Sequence, residues 1–255
     1  LRAGSLLFTE NIVVIPAALC ESGGMTTLVL ATRNRHKVEE IRAILGAGFQ
    51  CLSLADFPEA PAVIEDAPTF AGNATKKAVQ LARYIASAPG GNSRLKPPVF
   101  VLADDSGLEV DALDGAPGVH SARFAALDKT ANCSDAENNA KLLRLLANVP
   151  AEKRTARFRC VLALTPVLAA AAANASPVCG ADEFELQTKV FDGACEGRIG
   201  FAPAGQGGFG YDPLFIPSGW KQTFGELGED VKNGLSHRAM ALAKLGEGLG
   251  ERPLQ

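Results

Sequence analysis

An apolar run from Pro98 to Ala103 leads into two adjacent carboxylates, Asp104 and Asp105, then Ser106 and Gly107. A run of that length, bounded this way, reads as a strand buried on both faces. Placing two carboxylates side by side at a strand end is electrostatically costly unless a cation or a shared proton compensates. This stretch, Pro98 to Val110, therefore predicts strand, turn and strand, with the acidic pair in the turn. The expected use of such a turn is a metal or a catalytic proton.

The surrounding pattern predicts an α/β chain. Thr27–Thr32 is a short β-branched strand, and His36–Leu45 follows with Val38, Ile41, Ile44 and Leu45 at helical spacing. A strand near Cys51–Leu54 and a long helix over Phe70–Ala88 come next. Ser134 to Glu137 has the form of a capping box, opening a helix with Leu142, Leu143, Leu145 and Leu146. Strands are expected over Thr155–Val167, Phe184–Phe191, Gly197–Phe201 and Pro213–Ile216, and a last helix over Arg238–Leu245 capped by Ser236. Irregular alternation points to a single domain with a mixed sheet rather than a strict βαβ repeat.

Composition narrows the class. With 47% apolar and 21% charged residues, the chain has the make-up of a soluble globular protein. A formal charge of −3 supplies no basic field for duplex nucleic acid or an anionic membrane. The six cysteines form no C-x-x-C pair, so neither zinc nor a disulfide framework is indicated, and reduced thiols in the cytoplasm are expected. No run is long enough to span a membrane. Residues 1–25 are expected to be a disordered leader ahead of a domain spanning 26–250.

Three segments are suited to phosphate or base. Thr32-Arg33-Asn34-Arg35-His36-Lys37 joins a strand to a helix, where free N–H groups and the positive helix end face an anion. Its basic residues oppose the helix dipole, a cost that a polyphosphate would offset. Gly205-Gln206-Gly207-Gly208-Phe209-Gly210 matches G-x-G-x-x-G, but Tyr211-Asp212-Pro213 follows where a dinucleotide site needs a helix. The loop better suits close backbone approach to a ligand and stacking of an aromatic ring on a base. Lys232, Ser236, His237 and Arg238 gather at the start of the last helix. His36 and His120 have no second histidine at ligand spacing and carry no assigned role.

Taken in order, these segments closely resemble the inosine triphosphate pyrophosphatase family, the house-cleaning enzymes for non-canonical purine nucleotides. The resemblance runs from Leu28 to Leu245. It rests on Thr32, Asn34 and Lys37; on Phe70, Asn73, Ala74, Lys77 and Ala78; on Ala103 to Leu108 with Gly115 to Gly118 and Ser121 to Arg123; on Gly208 to Pro213; and on Ser236 to Arg238 after Lys232. It implies a long mixed, twisted sheet with two lobes flanking a cleft. It also implies a cytoplasmic homodimer, dependence on magnesium (Mg2+), and hydrolysis of ITP, dITP and XTP to monophosphate and pyrophosphate. By position, Asp105 is implied as general base and metal contact, and Glu65 as the second metal ligand. Thr32, Asn34, Lys37 and Lys77 are implied on the polyphosphate side. Ser106, Phe209, Gly210, Tyr211, Asp212, Lys232, His237 and Arg238 are implied around the nucleotide.

Three departures from that pattern stand out. Ile64 and Gly72 occupy positions where acidic residues are common, Arg33 stands in place of a small residue, and Leu168–Asp182 is longer than usual. Two competing readings also remain open on the residues alone. One is a pyrophosphatase for ordinary or modified pyrimidine triphosphates, and the other a nucleotide-binding regulator without turnover.

Overall fold

Asp104 and Asp105 lie in the middle of a strand, not in a turn. In the computed structural model, which describes residues 26–87, 95, 97–126, 132–168 and 183–250, β3 runs unbroken from Val99 to Val110. This corrects the expected strand, turn and strand. The physical reason is the neighbouring strand. β4 (Thr155–Pro166) pairs antiparallel with β3 from Phe100 to Val110, setting Asp104 opposite Leu162, Asp105 opposite Val161 and Gly107 opposite Arg159. Backbone pairing is thereby satisfied through the acidic pair, and side-chain cations supply the compensation that a turn would have drawn from water.

Six strands form one mixed sheet in the order β2-β1-β3-β4-β5-β6. β1 (Thr26–Leu30) pairs in parallel with β2 (Phe49–Ser53) and with β3. β5 (Lys189–Ile199) and β6 (Phe215–Pro217) extend the sheet antiparallel from β4. The two separate strands expected over Phe184–Phe191 and Gly197–Phe201 are in fact a short helix, α4 (Glu183–Leu186), and the single strand β5. Phe184 is buried against the core rather than alternating along a strand.

Helices cover both faces. α2 (Phe70–Ser87) lays Phe70, Ala74, Ala78, Leu81, Ala82 and Ile85 against one face, and its alanines permit close approach to β3 and β4. On the other face α1 (Arg35–Leu45) and α6 (His237–Gly250) pack Val38, Ile41, Leu45, Leu242 and Leu245 over Leu28, Leu30, Leu102 and Leu162. A third cluster, at the far end of the sheet, joins Leu142 and Leu146 of α3 (Asp135–Leu145 and its C-cap) to Phe158, Phe215 and Phe224. The expected capping box at Ser134 and Glu137 is present in full. α5 (Glu229–Leu235) was not foreseen; it is a short helix immediately ahead of α6. Gly193 lets α6 approach the sheet: a Cβ there would lie 2.1 Å from the carbonyl oxygen of His237.

No helix among the described residues is long and apolar enough to cross a membrane. Cys51, Cys133, Cys160 and Cys195 are free thiols. Residues 1–25, read above as a leader, lie outside the described residues, as does nearly all of the Leu168–Asp182 segment.

Candidate active site

Because strand side chains alternate, neighbouring carboxylates on β3 point to opposite faces of the sheet. Asp104 turns toward α1 and α6. Its Oδ2 accepts from Arg238 Nε at 2.8 Å, and its Oδ1 accepts from Ser106 Oγ at 2.6 Å and from Lys37 Nζ. Burial alone would raise its pKa, but Arg238 and Lys37 outweigh this and hold it well below the usual carboxylate range. Asp105 turns toward α2. There Oδ1 accepts from Lys77 Nζ at 3.1 Å and Oδ2 from Asn73 Nδ2 at 3.2 Å. Burial pushes its carboxyl up, Lys77 and Lys37 oppose, and nearby Glu65 adds to the rise.

Asn73 and Lys77 stand one helical turn apart on the stripe that buries α2. That placement explains why two polar residues interrupt an apolar face. Lys77 Nζ donates to Asp105 Oδ1, to Glu65 Oε2 at 3.0 Å and to the Asp104 carbonyl at 2.9 Å. An ammonium has three protons to give, and all three are engaged. Burial would lower its pKa, and the two carboxylates reverse that and keep it charged. Glu65 keeps 42% of its side chain exposed; partial burial raises its carboxyl and the Lys77 charge more than restores it. Asp66, the next residue, instead pairs with Lys76 at 2.5 Å on the exposed side.

The two departures near Glu65 have clear consequences. Ile64 is 72% exposed and offers no ligand. At Gly72 a Cβ would lie 2.8 Å from Ala67 Cβ, so a larger side chain requires the loop to shift. Glu65 and Asp105 are thus the two carboxylates that converge on Lys77.

The first helix begins as its sequence predicts. Asn34 caps α1, accepting from Lys37 N at 3.2 Å, and Thr32 Oγ1 accepts from Asn34 N at 3.1 Å. Lys37 reaches inward to Asp104, while Arg33 donates to the Ala60 carbonyl at 3.1 Å.

At the other end, the glycine-rich loop passes through turns into β6, and no helix opens there. Gly208 has φ 73°, and a Cβ on it would lie 2.1 Å from Asp212 Oδ2. That space lets the Asp212 carboxylate accept from Phe209 N at 2.8 Å and from Lys232 Nζ at 2.7 Å. Burial pushes the Asp212 carboxyl up against the pull of Lys232. The loop is pinned to α3, since Gly210 N donates to Asp135 Oδ2 at 2.6 Å and Gly210 O accepts from Asn139 at 3.0 Å. Phe209 is part-exposed with Lys232 Nζ 4.6 Å from its ring centre, and the His36 ring stacks on it at 5.4 Å. Tyr211 is buried, and its hydroxyl donates to the Ser121 carbonyl at 2.8 Å.

Arg238 is fully buried at the head of α6. Burial would depress its pKa, but Asp104 and Glu40 raise it. His237 is buried beside it, stacked on Phe158 at 4.9 Å, and its Nδ1 has no hydrogen-bond partner among the described residues. Burial first, then the Arg238 charge, hold its pKa well below the usual imidazole value, so the ring is neutral.

All fourteen residues nominated from sequence line one cleft of about 420 Å3. Three further residues organise it. Asn73 and Asp104 sit inside the quoted motifs without an assigned role. Glu40 was not singled out, yet its carboxylate takes both Lys232 Nζ and Arg238 Nη1. Its signal was available: three residues beyond Lys37, it shares that residue's helix face. Four cations, Lys37, Lys77, Lys232 and Arg238, are thus each paired within a set of five carboxylates, Glu40, Glu65, Asp104, Asp105 and Asp212.

The chain's likeness to known proteins is extensive. Residues 28–248 match the model of the Ham1 family. A dITP/XTP pyrophosphatase of Geobacter sulfurreducens is 48% identical over 227 residues, covering 89% of this chain and 98% of the relative. One of Geobacillus kaustophilus is 47% identical over 224 residues, covering 88% and 94%. Among solved structures, a HAM1 protein from Coxiella burnetii superimposes with a TM-score of 0.68 at 33% identity, covering 89% of this chain and 100% of that one. A nucleoside-triphosphatase, or dITP/XTP pyrophosphatase, of Mycobacterium abscessus gives 0.60 at 36% identity, covering 86% and 98%. With a family match across most of its length and relatives this similar end to end, the chain belongs to the Ham1 family.

Proposed function

We propose that this protein hydrolyses non-canonical purine nucleoside triphosphates (ITP, dITP and XTP) to the monophosphate and pyrophosphate. The observation that carries the reading is the cleft itself. A buried carboxylate with a raised pKa, Asp105, stands between a capped helix N-terminus and a loop presenting an aromatic ring. The names of the relatives supply the substrate class.

In this reading the base lies against Phe209, with Lys232 and neutral His237 as donors to its 6-oxo group. Adenine carries an amino donor at that position and would leave them unpaired. A site built for a hydrogen bond rejects an analogue that cannot make it by roughly 10⁴-fold or more. Asp105 accepts a proton from the water attacking the α-phosphorus. Its raised pKa makes it a better base than an exposed aspartate. Lys37 Nζ donates to Asp104 and keeps its other protons for phosphate oxygens. Lys77 holds Glu65 and Asp105 in register and keeps the pair from repelling.

Glu65 and Asp105 are suited to hold magnesium. Their hard oxygens converge on a single cation, Lys77, and two carboxylates plus substrate phosphates are the usual donor set for that ion. No cluster of three or more such ligands occurs among the described residues. When bound, the ion neutralises phosphate oxygens and lowers the pKa of coordinated water. The family resemblance also leads us to propose a homodimer acting in the cytoplasm.

Pyrophosphate release from dITP, XTP, GTP and dTTP, with and without magnesium, tests the reading. Release from dITP and XTP that needs the metal is the expected result. Preference for dTTP, or no release from any of them, would overturn it.

A further inference from the structure

The four cations at the heart of the cleft are already matched by five carboxylates, so that cluster carries no net positive charge, and a polyanion needs further cations beside Lys37. Two other cations line the same cleft, Arg33 and Arg123. Among the described residues neither makes an ion pair. Each instead donates to a backbone carbonyl of one short loop. Arg33 Nη2 reaches Ala60 O at 3.1 Å, and Arg123 Nη2 reaches Glu65 O at 3.4 Å. The same Arg123 nitrogen also donates to His120 Nδ1 at 3.2 Å. The two guanidiniums therefore flank the Ala60–Glu65 segment, and most of their donors are uncommitted.

We propose that Arg123, with Arg33 at the other end of this loop, binds the outer two phosphates, the part of the substrate that leaves as pyrophosphate. The inference rests on the reading of the site given above. If Phe209 marks the base end and Asp105 the α-phosphorus, the rest of the chain of phosphates extends toward Glu65, where Arg123 stands. A guanidinium suits the task, because its planar fork binds two phosphate oxygens at once and it cannot lose its charge. His120 steers the guanidinium. It accepts from Arg123, which requires an unprotonated Nδ1 and leaves the other guanidinium nitrogens for the ligand. The placement also explains why charge can be offered here: Arg123 is only half-buried, so in the free protein water solvates what the carboxylates do not.

The test compares wild type with Arg123→Ala and Arg123→Lys. Calorimetry with pyrophosphate in the presence of magnesium reads the proposed contact without turnover. Arg123→Ala is expected to weaken that binding about ten- to a hundredfold, the usual loss for a hydrogen bond to a charged group. Arg123→Lys, which restores charge but not the fork, should recover part of it. KM for dITP should rise in parallel, whereas inhibition by dIMP, which lacks the outer phosphates, should stay within about twofold. Equal weakening of dIMP and pyrophosphate, unchanged pyrophosphate binding, or no binding by wild type would each overturn the proposal. Failure of wild type to cleave dITP would overturn the proposed activity instead, and the calorimetry would still decide the role of Arg123.

Discussion

Lys77 Nζ lies 3.1 Å from Asp105 Oδ1, and the same ammonium gives its remaining protons to Glu65 and the Asp104 carbonyl. The lysine therefore works as a counter-ion fixed in place. It lets Asp105 stay ionised in a buried position where burial favours the neutral acid.

Asp105→Asn should reduce kcat for dITP by about 10²–10⁴-fold, the range for loss of a positioned base. Nucleotide binding should survive, because the amide retains the size of the side chain. Pyrophosphate release and calorimetry together check this. Near-normal turnover would remove Asp105 from the chemistry.

The two neighbouring carboxylates should respond oppositely to neutralisation. Asp104 has a folded-state pKa depressed below its unfolded value, so its stabilisation is present above the unfolded pKa and lost as pH falls toward the folded one. At pH 7 that contribution is complete. Asp104→Asn should therefore destabilise by about 3–5 kcal/mol, the usual cost of breaking a buried pair. Asp105 has a raised pKa, so its ionised form costs stability above the folded value, and that cost is relieved as pH falls through it. Asp105→Asn should leave the denaturant midpoint at pH 7 unchanged or higher. A matching loss in both variants would contradict this assignment.

Glu40→Gln should destabilise by about 2–4 kcal/mol, since Lys232 and Arg238 would face each other with a neutral group between them. The denaturant midpoint reads this, and added salt should recover little of it, because both cations are buried and poorly screened. No change would mean that Asp212 and Asp104 suffice to hold the two cations.

His237→Ala should narrow the preference for ITP over ATP by roughly two- to tenfold, the value of one hydrogen bond from a neutral group. The ratio of kcat/KM values is the readout, because loss of the stack on Phe158 affects both substrates alike. An unchanged ratio would shift base reading to Lys232 or to the backbone around Phe209.

Local chemistry was legible in the sequence where one segment decides the outcome. The Asn34 cap, the stripe along α2 and the Ser134–Glu137 box follow from residue types and spacing within a single turn or helix. The acidic pair misled because its compensation is remote. Asp104 is satisfied by Arg238, 134 residues away, and the pairing with β4 that keeps the strand straight cannot be seen from β3 alone. Glu40 went unnoticed for a related reason, since its partners Lys232 and Arg238 lie almost the whole chain away. The strand expected over Phe184–Phe191 is helical at its start, because Phe184 and Leu186 fit either period over so short a span.

Alternation along β3 makes the acidic pair an address written in residue parity. Inserting one residue between Val99 and Ala103, with pairing re-formed beyond it, would exchange the faces of the two carboxylates: the aspartate now held by Lys37 and Arg238 would meet Lys77, and its neighbour the reverse. Inserting two would restore each acid to its own side. Length variation in this strand is therefore tolerable in even steps and ruinous in odd ones, a constraint on how the chain can drift that does not depend on which residues fill the strand.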